Sequence, residues 1–285
     1  MTNEEPSAAS LPSEQATPAA PLQAEGRSKG VFVIGCPRSG TSVLSWSLAA
    51  HPNFWTSAES DYLLDLFGSV DLHAAFKRAA SRPDGGWLTK NNVGYREFAS
   101  AMGRGVEYLY ESRSKGKRWV DSTPGYTLMA ETLSMTCPAS QFLHIVRDGR
   151  AVVCSMLKSG FNTDWSDDFK KACHAWVRYA SLGQRFVAAH PGRAMEVRYG
   201  DMTARPEETF KKVFSFLGDE YTPKAVDLIM TKRINSSYGN EKEGDIRKEK
   251  DPAAAPKRPW EEWSTQQTAR FNKIAGPTML DLGFS

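Results

Sequence analysis

The sequence lacks an excess of either charge: 36 lysines and arginines face 33 aspartates and glutamates, leaving a formal +3 over 285 residues. That balance excludes a polybasic nucleic-acid binder and an acidic solvating chain as readings of the whole protein. Cysteine is sparse. Cys36, Cys137, Cys154 and Cys173 lie far apart, with no CxxC pair and no Cys/His ligand spacing. Neither a disulfide framework nor a metal site is indicated, and reduced thiols are expected. No run approaches the ~18 apolar residues of a membrane span. The opening MTNEEPSAAS has neither the basic head and apolar stretch of a secretory signal nor the arginines of a transit peptide. These absences lead to the expectation of a soluble, cytoplasmic chain.

Aromatic residues are missing from residues 1–29, which hold four prolines, six alanines and four serines. Such a composition buries too little apolar surface to offset ordering entropy, so a disordered tail is expected there. Residues 30–285, the expected folded domain, carry 34 basic and 29 acidic side chains, a net +5. Within them short apolar runs alternate with helical patterns. VFVIG (31–35), FWTS (54–57), RWVD (118–121), QFLHIVR (141–147) and AMEVRY (194–199) read as strands. SVLSWSLAAH (42–51), the segment 169–190 and PEETFKKVFSFLG (206–218) read as helices. The alternation predicts an α/β layered fold around a parallel sheet. Residues 235–259, polar, charged and proline-bearing, read as a long loop.

What is present is a phosphate-loop pattern that is not a Walker A. GCPRSGTS (Gly35 to Ser42) follows a strand and opens a helix, the context in which loop amides and the positive helix end hold anions. Gly35 and Gly40 fit the G-x-x-x-x-G frame, but Thr41 stands at the lysine position, and Arg38 sits inside the loop. A second strand-to-helix junction, IVRDGRAVVCS (145–155), places Arg147 at a strand end with Ser155 eight residues on. Ligands bind at the carboxyl ends of such strands, so two junctions bearing an arginine and a hydroxyl point to a ligand with two phosphate-like groups. Arg147 alone also reads as a structural ion pair with Asp148.

At these residues the chain resembles the sulfotransferases that use 3′-phosphoadenosine 5′-phosphosulfate (PAPS). CPRSGTS is similar to their loop for the 5′-phosphosulfate, and VRDGRAVVCSM to their 3′-phosphate motif. His51-Pro52 followed by Glu59, the STP at 122–124, VRYGDMTARPEETFKKVFSFLG (197–218) and the ending PWEEW...LDLGF resemble the branch that includes the tyrosylprotein sulfotransferases. The resemblance spans roughly residues 30–285 and implies a P-loop-NTPase-like three-layer fold, with a central parallel sheet flanked by helices.

It also implies roles. A sulfonyl group would pass from PAPS to an acceptor hydroxyl, leaving 3′-phosphoadenosine 5′-phosphate (PAP), with no metal required. The donor would be held by Pro37, Arg38, Ser39, Gly40, Thr41 and Ser42 at the phosphosulfate and by Arg147 and Ser155 at the 3′-phosphate. Tyr199 would lie near the adenine, and Arg258, in a C-terminal segment bearing Arg247, Lys248 and Lys257, would reach the 3′-phosphate. Arg38 would stabilise charge on the transferring group and Glu59 would act as base. Taken alone, Glu59 reads as a helix N-terminal acid, Tyr199 as a core aromatic, His51 as a packing or capping residue and His144 as a core histidine. One departure stands out: relatives often have lysine where this chain has Ser122, so either Arg38 acts alone or Lys90 or Lys158 substitutes. Residues 60–120, with Trp87, Tyr95, Tyr108 and Tyr110, are expected to form much of the acceptor side. The acceptor expected is a small molecule, glycolipid or carrier-bound metabolite, with no nucleic-acid partner. Alternatives are a P-loop phosphotransferase, which Thr41 disfavours, and a non-catalytic nucleotide-binding protein.

Overall fold

The computed structural model describes residues 30–68, 71–83, 86–231, 234 and 258–284. The expected tail and Arg247, Lys248 and Lys257 lie outside the described residues. A 5-stranded sheet is built from β1 (Val31–Gly35), β2 (Phe54–Thr56), β3 (Arg118–Asp121), β4 (Gln141–Val146) and β5 (Ala194–Arg198), in the order β2-β3-β1-β4-β5. Every pairing is parallel. The helices are α1 (Thr41–Ala49), α2 (Leu72–Ala80), α3 (Trp87–Lys90), α4 (Tyr95–Ser114), α5 (Ala130–Thr136), α6 (Gly149–Leu157), α7 (Phe169–Ala189), α8 (Tyr199–Ala204), α9 (Pro206–Leu217), α10 (Pro223–Thr231) and α11 (Thr265–Asp281). This is the P-loop-like α/β fold that the sequence leads one to expect.

The strands read as unbroken apolar runs because both faces are covered. Alternate side chains serve opposite layers. Val31 and Val33 pack with Leu44 and Leu48 of α1 and with α9 and α10, whereas Phe32 and Ile34 pack with Trp119, Tyr126, Phe142 and Phe186 on the other face. A third cluster joins α6 and α7 to Phe271, Ala275 and Met279 of α11, tying the C-terminal helix to the body. Ser264 and Gln267 form a reciprocal capping box that starts α11. At the amino ends of the strands, Arg118 bonds to the Leu217 carbonyl at 2.8 Å, to Asp219 at 2.7 Å and to Gln141 at 2.8 Å. That end of the sheet is closed by structural contacts.

Two strand boundaries differ from expectation in a way that matters for the site. β4 stops at Val146 because Asp148 caps α6, its carboxylate accepting the Arg150 N–H at 2.8 Å, so Arg147 sits in the connecting turn. β5 stops at Arg198, and Tyr199 opens α8. The chain leaves β1 toward β2 on one side of the sheet and leaves β4 toward β5 on the other. Their connections diverge, which opens a crevice at the carboxyl ends of β1 and β4. All four cysteines are free and buried. Among the described residues no helix is long and apolar enough to cross a membrane.

His144, in the middle of β4, is a core residue: it is fully buried and neither ring nitrogen has a hydrogen-bond partner. Gly183 of α7 makes room for it, since a Cβ there would lie 2.2 Å from Nε2. Burial pushes the imidazole from 6.5 down to about 4. The unfolded chain therefore takes up a proton that the folded chain refuses, and stability is lost as pH falls from about 6.5 toward 4. Urea titrations across that window should show a steeper loss for the wild type than for His144→Leu. The gap in acid-induced loss should approach about 3 kcal/mol.

Candidate functional site

The turn after β1 is held from both sides. Thr127 accepts the Gly35 N–H at 2.7 Å, and its own hydroxyl lies 3.0 Å from the Gly35 carbonyl and 2.8 Å from that of Pro124. The Ser39 N–H donates to the Cys36 carbonyl at 3.0 Å, closing a tight turn. Arg38 takes φ 72° and Gly40 φ 107°. For a non-glycine residue such as Arg38 that conformation is strained. Gly40 is required for a second reason: a Cβ there would lie 2.5 Å from the Tyr199 ring. The helix that follows has no side-chain N-cap and no acid in its first turn. Its leading N–H groups and positive end are therefore available to an anion.

Arg147 comes to the same place from β4. Its Nη1 donates to the Arg38 carbonyl at 3.1 Å, its guanidinium lies 4.3 Å over the Tyr199 ring, and Trp176 Nε1 holds its carbonyl at 3.2 Å. Arg38 Nε donates to Ser155 Oγ on α6 at 3.2 Å, and the Phe161 ring covers its guanidinium at 5.3 Å. The two strand-end junctions thus open into one cleft of about 400 Å³. Pro37, Arg38, Gly40, Thr41, Ser42, Glu59, Arg147, Ser155 and Tyr199 all line it. Burial and the like charge of Arg147 hold Arg38 below the ordinary arginine range, while Glu59 acts in the opposite sense. An anion between the two guanidiniums would relieve that repulsion.

Glu59 follows β2 and is held in the cleft by its neighbour. Ser60 donates to Asp121 Oδ2 at 2.6 Å and lies 2.6 Å from the Tyr126 hydroxyl and 3.0 Å from that of Tyr110. Tyr110 also donates to Asp121 Oδ2, at 2.6 Å. The Ser60 N–H donates to Thr123 Oγ1 at 3.0 Å, and the Thr123 N–H to Asp121 Oδ1 at 2.8 Å. This buried knot fastens the segment carrying Glu59 to the end of β3. Burial first, then the carboxylates of Asp61 and Asp121, raise Glu59 from 4.5 to about 7, against the opposing pull of Arg38. The cleft therefore sets two arginines beside a carboxyl group poised near neutrality, an arrangement suited to anion stabilisation and proton transfer.

Several expected residues lie elsewhere. Ser39, within the loop, is buried and does not line the cleft. Arg258 lines a separate depression with Asp148, Arg150 and Trp260 and pairs with Glu261 at 3.6 Å. It is held there because the Arg150 guanidinium stacks 5.2 Å from the Trp260 ring, fixing the segment over α6. Ser122 is buried and accepts from Ser45 at 3.0 Å, facing α1. Lys90 ends α3 and Lys158 caps the end of α6, and neither lines the cleft. Among the described residues lining it, Arg38 and Arg147 are the cations. His51 packs against Phe54 and Phe214 and accepts the Asn53 N–H at 3.1 Å. Of the four aromatics expected on the acceptor side, Tyr110 belongs to the buried knot, and Trp87 and Tyr108 are 70% and 68% exposed. Tyr95 lines a neighbouring cavity. Asp61, Phe161, Thr163, Trp165 and Tyr179 are among the other residues that line the cleft. No local motif marks them; Asp121, which closes a strand beside the loop, occupies a position that a strand-end rule does mark.

Fold and cleft together define a class: a parallel α/β protein with a P-loop-like turn, an arginine inside the loop and an uncapped helix start at the strand ends. A sulfotransferase family model matches residues 30–223, and the chain belongs to that family. It is 24% identical to protein-tyrosine sulfotransferase 2 of Gallus gallus, the match covering 66% of this chain and 50% of the relative. With the nodulation protein NoeE of Sinorhizobium fredii it shares 27% identity over 89% of this chain and 65% of the relative. The chain thus spans half to two thirds of the length of these curated relatives. Among solved structures, the sulfotransferase domain of the curacin biosynthetic pathway superposes with a TM-score of 0.58 at 15% identity, covering 91% of this chain and 99% of that one. Mouse sulfotransferase SULT7A1, solved in complex with PAP, gives 0.52 at 13% identity, covering 88% and 84%.

The knot makes a prediction about Glu59. Asp121→Asn removes one of the charges that raise its pKa, so the Glu59 carboxyl should titrate at lower pH, read by carbon NMR of labelled protein. The same change weakens charge-assisted hydrogen bonds in the knot and should cost about 1–3 kcal/mol of stability in denaturant titrations.

Proposed function

We propose that the chain transfers a sulfonyl group from PAPS to an acceptor hydroxyl, with PAP as the second product and residues 30–285 acting as the catalytic domain. One observation carries the reading: two arginines and the bare start of α1 meet a near-neutral carboxyl group in a single cleft. PAP in the mouse sulfotransferase supports this choice of donor. So does Thr41 at the position where a P-loop kinase carries its lysine. The residues fit a nucleotide with two separate anionic groups, since Gly40 leaves a bare backbone beside Tyr199 and burial with the like charge of Arg147 holds Arg38 below the ordinary arginine range.

PAPS supplies the activated sulfonyl group. Arg38 and the amides of Gly40, Thr41 and Ser42 stabilise negative charge on the bridging and sulfonyl oxygens. Arg147 and Ser155 hold the 3′-phosphate, and Tyr199 lies beside the adenine. Ser155 can serve both partners, because its oxygen accepts from Arg38 Nε while its hydrogen remains free for a phosphate oxygen. Glu59 takes the acceptor proton as the oxygen attacks. Most of the catalysis is thus positioning and charge stabilisation. The acceptor is a small molecule, glycolipid or carrier-bound hydroxyl compound, and the setting is the cytoplasm.

Calorimetry tests the donor: PAP should bind tightly without magnesium and ATP weakly, whereas a preference for magnesium-ATP would overturn the reading. Glu59 makes a separate prediction. As the base it must be ionised, so kcat/KM should rise with pH through about 7 and then level off. Glu59→Gln should lose that limb and about 10²–10⁴ in turnover. Stability should move the other way. A carboxyl whose pKa is raised from 4.5 to about 7 opposes folding increasingly as pH rises across that interval. Glu59→Gln should therefore melt higher than the wild type at pH 8, with the gap closing below about pH 4.5.

A further inference from the structure

Between β2 and β3 the chain makes a helical excursion, one stretch of which carries more net charge than the whole protein. Residues 72–96 hold five basic side chains, Lys77, Arg78, Arg82, Lys90 and Arg96, against one acid, Asp84, whereas the full chain is +3. Asp84 lies outside the described residues. Contacts gather this stretch into one lobe. The Phe76 ring of α2 lies 5.5 Å from those of Tyr95 and Phe98 at the start of α4, and His73 lies 4.7 Å from Tyr95. α3 sits on the end of α2: Thr89 donates to the Ala80 carbonyl at 2.8 Å, and a Cβ on Gly86 would lie 2.1 Å from the Ala79 carbonyl oxygen. Leu72, His73 and Tyr95 of the lobe line a second cavity, which shares Leu64 and Gly125 with the cleft. All five cations are exposed. Among the described residues none of them forms an ion pair. The flanking acids do not neutralise them: Asp71 caps the far end of α2, accepting the Ala74 N–H at 2.9 Å, and Glu97 follows Arg96 without pairing to it. Trp87 opens α3 between Arg82 and Lys90 and is 70% exposed, more than any other described aromatic residue.

We infer that this lobe docks the protein on an anionic lipid bilayer, with Trp87 entering the headgroup layer and the five cations meeting the lipids' negative groups. The inference is independent of the sulfonyl-transfer reading. An indole has an apolar body and a polar N–H, which suits the boundary between headgroups and acyl chains. Cations around such a ring add attraction to anionic lipid, and their long stems let the charged heads reach it. An acidic protein is the poorer match. Docking one takes anchors seated in complementary pockets within a rim of mixed polar groups. The lobe instead offers one projecting ring among charges of a single sign.

The test pellets the full chain with vesicles of phosphatidylcholine, made with and without phosphatidylserine. The protein should pellet with the anionic vesicles at low salt and be released at high salt or when phosphatidylserine is omitted. Lys77→Gln combined with Lys90→Gln should lower the partition coefficient by about 25-fold, at roughly fivefold per cation. Brominated phosphatidylcholine in the anionic vesicles should quench tryptophan emission, and Trp87→Phe should abolish that quench. These variants change exposed side chains only, and an unchanged melting temperature checks that each is folded. No pelleting, equal pelleting with neutral vesicles, or a partition coefficient unmoved by the double variant overturns the inference. So does binding to polyglutamate as tight as to the vesicles with no quench by brominated lipid, which would assign the lobe to an acidic protein. PAP calorimetry reads the cleft separately, so failure to dock leaves the sulfonyl-transfer reading standing, and failure to bind PAP leaves the docking inference standing.

Discussion

β1 is the middle strand of a sheet buried on both faces, and its backbone has to leave that sheet in a turn short enough to begin α1 at once. Every feature of the site depends on that exit. The turn forces Arg38 and Gly40 to positive φ, leaves the first amides of α1 without a side-chain cap, and presses Gly40 against Tyr199 so closely that no side chain fits between them. Thr127 and Arg147 then bond to the loop's backbone from two other segments of the chain, one at Gly35 and one at Arg38. Strain in a loop persists only where its surroundings over-determine it, and here they do.

The same economy of space shapes the electrostatics. Arg38 and Arg147 are gathered on one side of the cleft, while Asp61 and Asp121 act on Glu59. Each group is unfavourable by itself. Burial adds to that cost, and the hydrogen-bonded knot of Ser60, Tyr110, Tyr126 and Asp121 offsets part of it while fixing where Glu59 stands. A site assembled in this way is less stable than its parts could be and better prepared for an anion and a proton. The second cavity differs in kind. Its wall comes mainly from segments between β2 and the end of α5, together with Arg178 of α7, rather than from the phosphate loop.

Much of this was legible in the sequence for local reasons. The β-branched run VFVIG followed by GCPRSGTS announces a strand, a turn and a helix, because the glycines and the apolar periodicity act over a few residues. IVRDGR announces the second junction in the same way. Other features depend on neighbours distant in sequence. That Arg38 touches Ser155, that Ser122 turns toward Ser45, and that Arg258 stands apart from the cleft follow from how α1 and α6 pack and from a stacking contact between Arg150 and Trp260. Nothing local encodes them.

By itself, then, the sequence determined the parallel α/β architecture, the glycine-bearing turn between β1 and α1 and the identities of its arginines, since these follow from periodicity, turn chemistry and spacing. Only the tertiary structure decided that the two junctions share one cleft, that Glu59 is raised to about 7, and that a second cavity shares Leu64 and Gly125 with that cleft. Proximity, burial and shape arise when segments remote in the chain pack together, and a linear pattern does not carry them.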